Sequence, residues 1–439
     1  MFKTKNLLKI VYVLFLTIVT FFYIYQVSFA FLGIPFVWHS RRIAAVILVF
    51  LALFSFREKV PVVSFLGREY RKYVRLTIFL FLFSFLQLLL IGKDSGVHMF
   101  DTMLNIVLFG IPVYWAHKHI YSSLDNFMHV LLYITLIQTV IIFVCLFNPT
   151  FATLMDFTFN YLEDGGLKME SLRSRYAGGI GCIAAPGAIL YSLGLLASSY
   201  LFVSRKRWYY LLVLCIFMFV STMIARTGLV IDIVCVLYVL KQSNAIIKKI
   251  GSVALVAIGM LSILFVISAN SNNSFWEERF FRYESLADNG FRGDFFDGYI
   301  DGETTSYPDL SLNTFFGTGM MSGKSGIGDV VNVDGGPLRV YSAIGLLLTI
   351  VVYWKFIRIF FSTSKSLYKR NHQLLLFVFT VLILLGDFKE PTLLSVWPMT
   401  LFFTTAYLSG VEFNNLNRGL VRDKLSPQKL RILTNIINN

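Results

Sequence analysis

Long apolar stretches separated by short polar connections run through most of this chain. A membrane-spanning helix needs about 20 apolar residues to cross roughly 30 Å of hydrocarbon. The pattern therefore predicts an all-α polytopic membrane protein with about twelve transmembrane helices. The predicted spans are 7–30, 43–56, 76–91, 103–115, 127–147, 176–203, 208–223, 227–240, 250–267, 340–361, 374–385 and 393–409. Because span 7–30 is long and lacks a small-residue cleavage site, we interpret it as a retained span.

Basic residues at alternate connections predict the orientation. Lysines occupy the N-terminus, and Lys or Arg recurs in 57–75, 118–125, 205–207, 241–249, 365–370 and 418–431. Since cytoplasmic connections carry an excess of positive charge, we expect both termini in the cytoplasm. Arg41 and Arg42 are the exception, on the predicted outer side. The other face then holds 92–102, 224–226 and 386–391, together with a smaller loop at 148–175 and a large loop at 268–338.

Composition supports this class. Hydrophobic residues make up 56% of the 439 residues and charged residues 15%, against about 25% charged in an ordinary soluble domain. The net charge is +14. Its lysines and arginines cluster at the ends of apolar segments, where they are better explained as topology determinants and contacts with anionic lipid than as a nucleic-acid-binding surface. The four cysteines lie in apolar runs without disulfide or zinc spacing. We predict one integral membrane domain, 1–439, that needs no metal and no cofactor.

Arginines stand at three span entrances on the predicted outer face. Arg173 and Arg175 precede one span, Arg226 opens the next outer entrance in ARTGL, and Arg339 follows the large loop. Arginine holds diphosphate through bidentate, charge-assisted hydrogen bonds, so a lipid-diphosphate site is one hypothesis. Contact with lipid headgroups is the alternative. Asp232 lies about 9 Å deeper in the span than Arg226. It is either a functional residue or a residue that pairs with a neighbouring helix, and both interpretations stay open.

The large loop, 268–338, is rich in carboxylates, arginines and aromatic residues. Ser274 and Glu277 have the form of a capping box, which predicts a short amphipathic helix. Residues 317–329 are glycine-rich without Walker spacing, and we expect an irregular loop there. Arg282 and Arg292 lie in the loop among carboxylates that include Asp288, Asp294, Asp297, Asp301, Glu303 and Asp334.

The chain resembles the superfamily of bacterial O-antigen polymerases (Wzy) and O-antigen ligases, which are envelope glycosyltransferases. The resemblance covers most of the chain. It rests on the span count, the arginines before a glycine-rich span at Arg173 and Arg175, ARTGL at Arg226, and a late large loop containing LNTFFGTGM and ending in DGGPLRVYSAIGLL. Arg282 and Gly293, like Arg279 and Gly290, also show the arginine-to-glycine spacing of some polymerases.

The resemblance implies transfer of a glycan from undecaprenyl diphosphate to a second lipid-linked repeat unit at the extracytoplasmic face of the bacterial inner membrane. It also implies lipid-linked donor and acceptor and a chain-length regulator as partners. Diphosphate would be held by Arg173, Arg175, Arg226, Arg282, Arg292 and Arg339. Since the leaving group needs charge neutralisation and the acceptor hydroxyl a base, the main candidate bases are Asp288, Asp294, Asp297 and Glu303.

Two other functions stay open. Ligases of the superfamily use a histidine in the large loop, but this chain has none between His129 and His372, which favours a polymerase. A transporter or flippase for lipid-linked oligosaccharide would also grip a diphosphate. Such proteins usually show an internal repeat and charges near the membrane midplane, and the sequence shows neither.

Overall fold

The computed structural model describes residues 2–25, 27, 39–54, 64–91, 93–148, 150–151, 154–155, 184–224, 226–242, 315–319, 336–367, 369–389 and 391–424. These residues form helices and connections and contain no strand, so the all-α prediction is confirmed for this part of the chain. The predicted span 250–267 lies outside it.

Thirteen α-helices are described, and we number them in chain order. They are α1 (Phe2–Ile24), α2 (Ser40–Phe54), α3 (Ser64–Ile91), α4 (Lys93–Asn105), α5 (Ile111–Ile120), α6 (Leu124–Phe147), α7 (Ala184–Arg205), α8 (Tyr209–Ile224), α9 (Arg226–Gln242), α10 (Gly336–Ile344), α11 (Leu346–Lys365), α12 (Arg370–Lys389) and α13 (Val396–Lys424).

Six of the described helical stretches are long and apolar enough to cross a membrane. They are Gly67–Leu90, Met99–Ile120, Leu124–Cys145, Gly187–Arg205, Leu346–Lys365 and Arg370–Phe388. Ile10–Ile24 and Tyr209–Thr222 are shorter apolar helices. Six spans are enough for a polytopic membrane protein. The count of about twelve and the orientation stay predictions.

Two predicted spans depart from a regular α-helix in ways that hydropathy does not show: one contains a π-helical turn and the other is broken at a glycine. The span predicted at 103–115 is the continuous run of α4, a π-helical turn at Ile106–Gly110, and α5, with Pro112 in the first turn of α5. The span predicted at 340–361 is divided at Gly345, whose φ of +80° ends α10 before α11 begins. An L side chain rarely adopts that φ, so glycine permits the break.

The core of the bundle is α7, which packs against α6, α8, α9 and α12. Glycine allows the closest of these approaches: a Cβ on Gly194 of α7 would lie 2.3 Å from the Thr135 hydroxyl oxygen of α6. Small residues commonly let membrane helices come this close. Around this core, α1 packs on α2 and α6, and α13 packs on α5 and α12.

Candidate functional site

Most of the predicted site residues lie outside the described part of the chain. Arg339 is the one predicted diphosphate ligand whose side chain is described; it is half-buried in α10. Arg226 is the first residue of α9. The residues outside the description are Arg173, Arg175, Arg282, Arg292, Asp288, Asp294, Asp297, Asp301, Glu303 and Asp334.

Residues 315–319, from the LNTFFGTGM motif of the large loop, pack directly on the end of α10. The Thr318 amide donates to the Ser342 carbonyl (N to O 2.8 Å), and the Gly319 amide donates to the Ala343 carbonyl (2.9 Å). The Thr318 hydroxyl also donates to the Ser342 carbonyl at 3.1 Å. The two motifs that carry the family resemblance in this half of the chain, LNTFFGTGM and DGGPLRVYSAIGLL, are therefore in contact. We call residues 315–319 with Ser342–Gly345 the loop junction.

Two glycines leave the space that this contact requires. Gly317 and Gly345 both have positive φ, +74° and +80°. A Cβ on Gly317 would lie 2.3 Å from the Ala343 carbonyl oxygen, and one on Gly345 would lie 2.0 Å from the Phe315 carbonyl oxygen. The obstructing atoms are backbone, which cannot rotate away as a side chain can. Any larger residue at either position would separate the two segments.

A third element, α3, supplies Gln87 to the loop junction. Its amide nitrogen Nε2 donates to the Phe316 carbonyl (2.9 Å) and to the Ala343 carbonyl (2.8 Å). The side chain is only 6% exposed. Sequence reasoning missed this residue, although one signal existed: a glutamine within the apolar run FSFLQLLL needs a partner when it is buried.

Helix α4 joins the loop junction to the start of α2. The Met99 amide donates to the Gly319 carbonyl at 3.2 Å. Two residues along, Asp101 forms an ion pair with Arg42 (2.9 Å), and the Arg42 Nε also donates to Asn105 Oδ1 at 2.9 Å. Arg41 donates to the Tyr23 and Ile24 carbonyls (3.1 and 3.2 Å) at the end of α1. These contacts explain why two arginines stand where the charge pattern predicts few.

His39, immediately before α2, is a buried imidazole beside the same arginines. Burial, reinforced by the positive charges of Arg41 and Arg42, lowers the pKa of His39 to about 3. The ring is therefore neutral at physiological pH. A weakly basic imidazole of this kind is a poor general base, because efficient bases have a pKa near the working pH.

Asp232 lies in α9 with both carboxylate oxygens buried. Ser221 of the neighbouring helix α8 is the polar side chain that lies beside the Asp232 carboxylate. The helices are close here, since a Cβ on Gly228 would lie 2.3 Å from the Ser221 carbonyl oxygen. Asp232 therefore faces the neighbouring helix α8, and the functional and helix-pairing interpretations both stay open.

A buried turn connects α12 to α13. Asp387 Oδ1 accepts a hydrogen bond from the Leu393 amide at 2.8 Å, and Asp387 Oδ2 accepts one from the Tyr353 hydroxyl. Leu393 and Leu394 are almost wholly buried. The connection predicted at 386–391 is therefore part of a packed turn, and Asp387 caps the backbone there.

Metal-ligating side chains do not cluster within the described ranges. Three of the four cysteines fall in those ranges, and each is a free thiol: Cys145, Cys215 and Cys235.

Comparison with known proteins finds no match to a protein-family model, to a curated protein or to a solved structure. The family resemblance therefore rests on the sequence motifs alone.

Proposed function

We propose that this protein is a polysaccharide polymerase that transfers a glycan from undecaprenyl diphosphate to a second lipid-linked repeat unit. The observation that supports this most is the loop junction. LNTFFGTGM and the end of DGGPLRVYSAIGLL are hydrogen-bonded to each other, as expected if they build one site at the mouth of the bundle. The site would face the exterior of the bacterial inner membrane, the side predicted for the large loop.

Arg339 has a clear chemical role in this proposal. It lies one helical turn before Ala343, whose carbonyl is part of the loop junction, so the two residues lie on the same face of α10. Glycan transfer from a lipid diphosphate breaks the bond between the sugar C1 and the diphosphate oxygen, and negative charge grows on that oxygen. A fixed guanidinium stabilises this charge more in the transition state than in the ground state, which accelerates the transfer.

The remaining chemistry requires no metal ion. The acceptor sugar hydroxyl attacks C1, its proton passes to a base, and the lipid diphosphate leaves. Asp288, Asp294, Asp297 and Glu303 stay the proposed bases, and Arg173, Arg175, Arg226, Arg282 and Arg292 the further proposed diphosphate ligands. Undecaprenyl-diphosphate-linked donor and acceptor are the proposed substrates, with a chain-length regulator as partner.

The test is the surface polysaccharide of a deletion strain carrying Arg339→Ala, Arg339→Lys or the unmodified protein. We expect Arg339→Ala to reduce chain extension by about tenfold or more, because a charge-assisted hydrogen bond contributes about 1.5–3 kcal/mol. Arg339→Lys should restore only part of it, since lysine lacks the bidentate fork. Arg358→Ala is the matched control: Arg358 is an exposed arginine in α11 and should be neutral.

The banding pattern also separates the alternatives. Loss of a polymerase leaves single repeat units attached at the cell surface, loss of a ligase leaves none attached, and loss of a flippase blocks export. Normal chain lengths in the Arg339→Ala strain, with the protein present in the membrane, would exclude Arg339 from the site.

A further inference from the structure

The Gln87 side chain connects three separate parts of the chain at one point. Its Nε2 donates to the Phe316 carbonyl of the large loop and to the Ala343 carbonyl of α10 (2.9 and 2.8 Å), while its own backbone belongs to α3. The side chain is almost wholly buried. Water therefore offers no ready substitute for its two donated hydrogen bonds.

The two carbonyls need these donors. Ala343 lies in the last turn of α10, where helix carbonyls have no intrahelical partner, and the break at Gly345 prevents α11 from supplying one. The Gly319 amide and the Gln87 amide fill this role for Ala343. For Phe316, Gln87 is the described donor. Without Gln87 the Ala343 carbonyl keeps only the Gly319 amide, and the part-buried Phe316 carbonyl loses its described donor. Since the full cost of an unpaired buried carbonyl is about 1–3 kcal/mol, losing Gln87 would favour separation of the large loop from α10 by up to that amount.

We propose that Gln87 is a positioning residue for the diphosphate site: it holds residues 315–319 against the end of α10 and so fixes the location of Arg339. The inference rests on the proposed function. Helix α10 has only nine residues, Gly336–Ile344, too few for a helix to be stable without external contacts. Its direction, and that of Arg339 one turn from Ala343, therefore depends on its packing against α11 and α12 together with the bonds at its C-terminal end.

Gln87→Leu removes both donors and keeps a similar volume. We expect it to accumulate in the membrane at a normal level and to reduce chain extension by about fivefold to tenfold. Ser84→Ala is the matched control, because Ser84 is also buried in α3, one turn earlier, and its hydroxyl donates only to the Phe81 carbonyl of its own helix. Chain extension in Ser84→Ala should be unchanged.

A disulfide tests whether Gln87 acts by holding the loop. Thr318→Cys and Ser342→Cys, in a background without the four native cysteines, place thiols on two residues whose backbones are hydrogen-bonded (Thr318 N to Ser342 O 2.8 Å). We expect rapid cross-linking with Gln87 present and at least fivefold slower cross-linking with Gln87→Leu. Once formed, the disulfide should restore chain extension to the Gln87→Leu protein, and a membrane-permeant reductant should abolish the restoration. A purely structural defect elsewhere in α3 would not be rescued.

The outcomes separate this inference from the proposed function. Equal cross-linking rates with and without Gln87 would overturn the holding role, and normal chain extension in an accumulated Gln87→Leu protein would overturn the positioning role. Gln87-dependent cross-linking combined with normal chain extension in Arg339→Ala would leave the contact intact and reject the diphosphate site. If the leucine variant fails to accumulate, Gln87→Asn, whose shorter amide cannot reach both carbonyls, gives the same comparison.

Discussion

The two ends of the helical bundle are held together by different kinds of contact. At one end, which we call the glycine end, α3, α4 and α10 meet residues 315–319. At the other, which we call the charged end, the beginnings of α6 and α12 meet the end of α7 and the middle of α13. The helix ends that meet at the glycine end are predicted by the charge pattern to lie on one side of the membrane, and those that meet at the charged end are predicted to lie on the other.

Backbone groups dominate the glycine end. Amides at 318 and 319 bond to carbonyls at 342 and 343, and the Gln87 side chain donates to the carbonyls at 316 and 343. The segments approach closely because Gly317 and Gly345 have no Cβ. The amide-to-carbonyl contacts have fixed geometry, since neither backbone partner can change rotamer.

Side chains dominate the charged end. Arg205 pairs with Asp125 at 2.6 Å, and Glu412 lies 3.6 Å from the His372 ring. Lys118 lies over the rings of Tyr114 and Tyr407, 5.4 and 4.9 Å from their centroids. Long side chains can exchange partners and reach water, so we expect this end to tolerate substitutions that the glycine end does not.

Gly345→Ala should have the largest effect. The new Cβ would lie 2.0 Å from the Phe315 carbonyl oxygen. The backbone there (φ +80°, ψ 164°) lies in a region that is essentially restricted to glycine and costs an L residue about 1–3 kcal/mol, and overpacking adds about 1–3 kcal/mol. We expect loss of chain extension and a marked fall in the thermal unfolding midpoint of the solubilised protein.

Gly67→Ala is the control for Gly345→Ala. Gly67 lies in the first turns of α3 with nothing within 4 Å of the position of a Cβ, and alanine favours helix by about 1 kcal/mol. The midpoint should stay the same or rise slightly. A Gly345→Ala protein as stable and active as Gly67→Ala would show that the glycine end is not constrained by its backbone contacts.

The six long apolar helices that the structure describes could be predicted from the sequence, because crossing a membrane demands long apolar runs. Helix α4 (Lys93–Asn105) could not, since most of it lies in the polar connection predicted at 92–102. The interruption at Gly345 could not, since an average over the apolar residues 340–361 does not register the φ of a single glycine. The π-helical turn at Ile106–Gly110 could not be predicted either, because its residues are as apolar as those of an α-helix.

The site could be predicted only where a charged residue marks it. Arg339 stands out because it interrupts an apolar pattern, whereas Gln87 acquires its importance from carbonyls far away in the chain. Likewise Arg205 was recognised as a topology determinant, but its partner Asp125 lies on another helix. Contacts between distant backbone groups leave no pattern in the local sequence.

Glu412→Ala should have an intermediate effect at the charged end. Glu412 Oε1 accepts a hydrogen bond from the Leu124 amide in the first turn of α6 (3.2 Å), one of the amides that has no partner within its own helix. Removing the acceptor should lower the free energy of unfolding by about 1–2 kcal/mol. Glu412→Gln keeps a carbonyl acceptor and serves as the control.

The same residue predicts a pH dependence. Burial, and then the nearby Asp125 carboxylate, raises the pKa of Glu412, so the folded state holds the proton more tightly than the unfolded state. Stability of the unmodified protein should therefore fall as pH rises from the unfolded pKa through the raised folded pKa. Glu412→Gln cannot titrate and should lose this component of the pH dependence in thermal unfolding. An unchanged pH profile in Glu412→Gln would assign the dependence to another group.

Arg205→Ala should have the smallest effect of these changes. Its side chain is 53% exposed in the pair with Asp125, and exposed ion pairs contribute about 0–1 kcal/mol because water and salt screen them. We expect a loss of less than about 0.5 kcal/mol that disappears at high salt, measured as the unfolding midpoint at low and high ionic strength. A loss as large as that of Gly345→Ala would mean that the charged end is as rigidly constrained as the glycine end.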